Sequence, residues 1–110
     1  MWILTTVGFF SVVRKRGDEL LTVRARVRTD LDALRERWLP ELGPTKSNAG
    51  TDYRYRATVA PQALAGAMQR MALAIDYSNF KNEVARTQGK ERAHAYHEVW
   101  SALLRLEREP

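Results

Sequence analysis

The chain has 110 residues, of which 45% are hydrophobic and 28% charged, the balance of an ordinary globular protein and not of a disordered one. It contains no cysteine, which excludes disulfides, zinc ribbons and thiol catalysis and is compatible with a reducing compartment. The net charge is +5, and the excess lies early: residues 1–60 hold 11 Lys/Arg against 7 Asp/Glu, residues 61–110 hold 7 against 6. Such a balance favours anionic partners without naming one.

Met1 to Arg16 is rich in β-branched and aromatic residues. Its apolar part, Met1 to Val13, is too short to span a bilayer and lacks the basic leader and cleavage site of a signal peptide, so it is predicted to be a strand. Both alternating sets are apolar, Trp2, Leu4, Phe10 and Val12 on one and Ile3, Val7, Phe9 and Val13 on the other, which points to a central strand, with Gly8 marking a bulge. Arg14 to Glu19 is polar, contains Gly17 and reads as a hairpin turn.

The next strand runs through Leu20 to Arg28. Val23, Ala25 and Val27 alternate with Thr22, Arg24, Arg26 and Arg28, the pattern of a strand with one buried face. Thr29 is placed to cap a helix whose first turn holds Asp30 and Asp32 and whose apolar face carries Leu31, Leu34 and Trp38, ending near Pro40. Gly43 to Gly50 reads as a loop, with room for a short extra strand between Thr45 and Thr51.

Asp52 to Val59 repeats the earlier alternation, with Tyr53, Tyr55, Ala57 and Val59 on one side and Arg54, Arg56 and Thr58 on the other. Pro61 fits a first helical position, and Leu64, Met68, Met71 and Ile75 follow as one apolar stripe. The segment Asp76 to Lys81 interrupts that periodicity, and Ser78 or Asn79 would cap a short helix ending at Gly89. A last helix from Lys90 to about Leu106 places Ala93, Tyr96, Trp100, Leu103 and Leu104 on one stripe, with Trp100 expected in the core.

The order β-β-α-β-α-α predicts a single compact α+β domain over residues 1–110, a two-layer sandwich with a small antiparallel or mixed sheet and helices on one face. Two strands of one sheet would then crowd Arg24, Arg26, Arg28, Arg54 and Arg56 on its other face, with Phe9 or Trp2 nearby for stacking, the combination that single-stranded nucleic-acid binders use. Val7 to Val12 shares only Gly, Phe and Val with the signature of the RNA-recognition motif and sits on the wrong strand for it, which argues against that fold.

His94, His97 and Glu98 share a helical face, but a metal site needs a further ligand, so they read as an exposed polar flank and no metal or other cofactor is expected. No Gly-rich phosphate loop and no nucleophile elbow occurs, which leans against an enzyme. The expected function is a binding module for an anionic partner, foremost nucleic acid. The alternatives are a protein-interaction or homodimer module using the arginine face, and a small basic ribonuclease-like enzyme.

Five blocks, Gly8 to Val13, Val23 to Arg26, Asp52 to Arg56, Ile75 to Lys81 and Val99-Trp100, resemble those of a family of small uncharacterised bacterial proteins. The resemblance implies a compact domain residing in the cytoplasm and attaches no activity.

Overall fold

The computed structural model describes residues 1–108. The fold is α+β, and its contacts divide the chain into two compact units, Met1–Ile75 and the chain from Asp76 onward. The first unit holds five antiparallel strands: β1 (Trp2–Leu4), β2 (Phe9–Val13), β3 (Leu21–Ala25), β4 (Lys46–Ser47) and β5 (Tyr55–Val59). Their order across the sheet is β1-β2-β3-β5-β4. Two helices, α1 (Arg28–Arg37) and α2 (Pro61–Leu73), belong to the same unit.

The N-terminal stretch is a hairpin and not one long strand. Thr5 closes its turn: the hydroxyl accepts from the amides of Val7 and Gly8, each at 3.1 Å, and donates to the Gly8 carbonyl at 2.9 Å. A threonine side chain bonding to nearby backbone is a local competitor to strand structure. The resulting register pairs Trp2 with Ser11 and Leu4 with Phe9, so Trp2 and Leu4 share a face with Phe9 and Ser11, whereas the uninterrupted alternation put them with Phe10 and Val12.

The polar run after β2 is the expected hairpin turn, closed by the Asp18 amide on the Lys15 carbonyl at 3.0 Å. The helix after β3 starts one residue before the predicted cap. Val27 occupies the cap position and makes no side-chain bond there, so Thr29 is the second helical residue. Asp30 is turned instead toward the sheet, where its carboxylate accepts the Phe9 amide at 3.0 Å. Arg35 ties the following loop to α1 by donating to the carbonyls of Leu42 (3.2 Å) and Gly43 (2.6 Å) and to the Thr45 hydroxyl (3.0 Å). That loop contains the short extra strand, β4, paired to β5.

Phe10, Val12, Val23, Ala25, Ala57 and Val59 alternate onto one face of the sheet and are buried under Leu31 and Leu34 of α1 and Leu64 and Ala67 of α2. Met68 and Met71 pack half-buried against this core. The α2 stripe stops there: the helix ends at Leu73, and Ile75 is exposed.

The second unit is a helical hairpin of α3 (Phe80–Gln88) and α4 (Lys90–Leu103), continued by a 3-10 turn over Leu104–Arg108. Asn79 caps α3, its side-chain oxygen accepting from the Asn82 amide at 2.9 Å. Gly89 separates the helices at φ 97°, a left-handed value that favours glycine. Val84 and Tyr96 are buried, and the Phe80 and Tyr96 rings stack at 5.9 Å. Trp100, expected in the core, is 51% exposed. The arms are unequal: α3 opens at Phe80 level with Tyr96, so the chain beyond Val99 runs past the end of its partner helix.

Candidate functional site

Residues directly opposite one another on adjacent strands share a face. The registers Trp2–Ser11, Ser11–Arg24, Arg24–Arg56 and Arg56–Lys46 therefore form one row across all five strands, on the face opposite the core. At about 4.8 Å per strand the row is roughly 19 Å long. It begins on an indole that is 71% exposed, passes a buried serine, and ends on three cations.

The guanidinium groups in the row are held in place. Arg24 Nη2 donates to Ser11 Oγ at 2.7 Å, while Arg56 Nη2 donates to Thr51 Oγ1 and to the Tyr53 carbonyl, both at 3.1 Å. The Nε of each is buried without a hydrogen-bond partner. Tyr53 is buried beside them, and the guanidinium carbons of Arg24 and Arg26 lie 4.6 and 4.8 Å from its ring centre, close enough for cation–π attraction. The aromatic surface continues from Tyr53 to Phe9 at 6.3 Å and from Phe9 to Trp2 at 6.0 Å, edge to face.

The five arginines of the sequence do not make one face. β3 ends at Ala25, so Arg26 projects beyond it and Arg28 is the first residue of α1. β5 begins only at Tyr55, so Arg54 is outside it. Arg28 and Arg54 lie over the Tyr55 ring instead, at 5.1 and 5.5 Å. Period-two alternation holds only while the backbone is extended, and the chain turns at Ala49-Gly50 and stays bent through Tyr53 before β5 begins. The same turn carries Tyr53 away from Tyr55, Ala57 and Val59 and over to Arg24 and Phe9.

Lys46, Ser11 and Tyr53 were missed as site residues. Lys46 lies on a two-residue strand, too short to show any periodicity, and Ser11 has no charge or ring to draw notice. Among the described residues, no carboxylate pairs with Arg24, Arg26, Arg28, Arg54, Arg56 or Lys46, whereas ion pairs do form elsewhere, as at Arg35–Asp32, Arg86–Glu83 and His94–Glu98. Like charges set directly opposite on adjacent strands destabilise a sheet. Arg24, Arg56 and Lys46 therefore hold uncompensated positive charge at a cost to the fold.

On α4, His94 pairs with Glu98 at 3.5 Å, while His97 Nδ1 meets the Lys81 ammonium at 2.9 Å and its ring stacks on Trp100. No group of three or more His, Asp or Glu side chains converges among the described residues, and no helix there is long and apolar enough to cross a membrane. Comparison with family models, with curated proteins and with solved structures finds no match for this chain.

Proposed function

We propose that the face bearing Trp2, Phe9, Arg24, Arg26, Arg56 and Lys46 binds single-stranded nucleic acid, with the cations on phosphates and the exposed Trp2 and half-buried Phe9 rings under bases. One observation carries this reading: three cations stand side by side across β3, β5 and β4 with no carboxylate among them. A fold tolerates that repulsion readily if an anion normally relieves it. Trp2 adds the second half of the chemistry, since an indole presents a stacking surface that every base can use.

The test is fluorescence anisotropy against mixed-sequence RNA and DNA oligonucleotides over a salt series. Four phosphate contacts, from Arg24, Arg26, Arg56 and Lys46, predict that log K falls with log salt at a slope of about −3. Trp2→Ala should weaken binding by about 1–3 kcal/mol with the slope unchanged, because stacking releases no counterions. Absence of binding to either polymer in dilute salt, or a slope indifferent to the loss of Arg24 and Arg56, overturns the reading.

A further inference from the structure

The apolar overhang of the helical hairpin is a separate feature that the cationic face does not use. Val99, Trp100, Leu103, Leu104 and Leu106 fall within eight residues at the end of α4 and in the turn after it, each between 40 and 59% exposed. They share one side of the helix, whereas His94, Glu98, Ser101 and Arg105 take the other. Their exposed area is on the order of 500 Å² per chain, as large as the biggest patch a monomer commonly shows. Two copies joined there would remove about 1,000 Å² from water, the lower bound for a specific interface.

We propose that this surface is a homodimer interface, in which α4 packs antiparallel on α4 of a second copy. The pattern is self-complementary, as a two-fold interface must be. Setting Trp100 against the second copy's Leu103 places the axis between Ser101 and Ala102, sets Val99 against the second copy's Leu104, and brings the second copy's Glu107 level with Tyr96. The Lys81 ammonium stands beside that point. It lies 2.9 Å from His97 Nδ1 and 4.5 Å from the Trp100 ring centre, and no carboxylate pairs with it among the described residues. Glu107 is exposed and supplies the missing charge, twice by symmetry. Pairing of two helical hairpins in this way gives a four-helix arrangement, with the overhanging residues of each arm covered by the other.

Sedimentation velocity of the full chain tests this, with far-UV circular dichroism as the check on folding. The protein should be a dimer at about 100 μM and dissociate on dilution. Leu103→Glu should be monomeric with its helix content intact. Lys81→Glu should weaken the dimer by about tenfold or more by setting like charges together, and adding Glu107→Lys should restore it. Arg24→Gln with Arg56→Gln should leave dimerisation unchanged while lowering nucleic-acid binding, which separates this interface from the cationic face. A monomer at about 100 μM, a dimer unaffected by Leu103→Glu, or a charge exchange without recovery overturns the proposal.

Discussion

Gly8 and Asp30 occupy the same space: a Cβ on Gly8 would lie 2.6 Å from the Asp30 carboxyl carbon. Only glycine lets the first turn of α1 approach the β1–β2 hairpin so closely, and the approach is what delivers the Asp30 carboxylate to the Phe9 amide at 3.0 Å. The pair fixes the helix against the strand that carries Phe9.

Gly8→Ala should therefore destabilise the first unit by about 1–3 kcal/mol, through overpacking and displacement of the carboxylate. Asp30→Ala should cost a similar amount by leaving a strand amide without its acceptor. The two losses should not add. Asp30→Ala removes the carboxyl carbon and oxygens but keeps the Cβ that would lie 2.7 Å from the added methyl, so the clash is relieved only in part and a double-mutant cycle in urea should show coupling toward the low end of about 0.5–3 kcal/mol. Simple additivity would mean that the two residues do not share this space.

Arg56→Gln should separate stability from binding. The substitution removes a charge from between Arg24 and Lys46, so the melting temperature should hold or rise slightly in dilute salt, and the gain should shrink as salt screens the row. The salt slope of nucleic-acid binding should flatten by about 0.7 unit. A marked loss of stability would instead show that the bonds to Thr51 and the Tyr53 carbonyl hold the turn after β4 together.

Trp100 and Tyr96 lie on one stripe of α4 but should respond differently. Tyr96 is buried and stacked on Phe80, so Tyr96→Ala should cost about 3 kcal/mol, as aromatic truncations in cores do. Trp100 is half exposed, and Trp100→Ala should cost less than about 1 kcal/mol when measured on monomeric protein at high dilution. At concentrations where the dimer forms, the Trp100 variant should lose the extra stability that association confers.

Glu83 and Arg86 on α3 form a bidentate pair, at 2.9 and 2.6 Å, and the hydrogen bond from Arg86 holds the Glu83 carboxyl below its ordinary pKa. A carboxyl whose folded pKa is lowered contributes stability that is present above its unfolded pKa and lost as pH falls through the folded value. Glu83→Gln should then lower the helical signal slightly at neutral pH, and the difference from the parent should close in acid. Both charges are on the surface, so moderate salt should reduce the effect as well.

Much of this architecture was legible in the residues alone. The alternation through Val23 and Ala25 and again through Ala57 and Val59 identified the two central strands and their buried face. Pro61, Asn79 and Gly89 marked helix ends because each acts through its own backbone or a short side chain, within a few residues. The cationic character was visible too, since Arg24 and Arg56 are within those strands. Local rules read local geometry.

Register and encounter were decided by the tertiary structure. That Arg24 faces Arg56 and Arg56 faces Lys46 depends on how segments 32 and 10 residues apart align, and no periodicity within one strand encodes its offset from another. Thr5 turned a long apolar run into a hairpin and put Trp2 beside Ser11, because a hydroxyl that bonds its own turn outweighs strand propensity there. The ends of β3 and β5, set by the start of α1 and by the turn before Tyr55, sent Arg28 and Arg54 to the Tyr55 ring and left the row to Arg24, Arg56 and Lys46. A helical stripe says only that α4 has an apolar side; the length of α3 decides which part of that side is covered, and α3 opens at Phe80 against Tyr96 and reaches Trp100 only through the Lys81 side chain, leaving the indole half exposed.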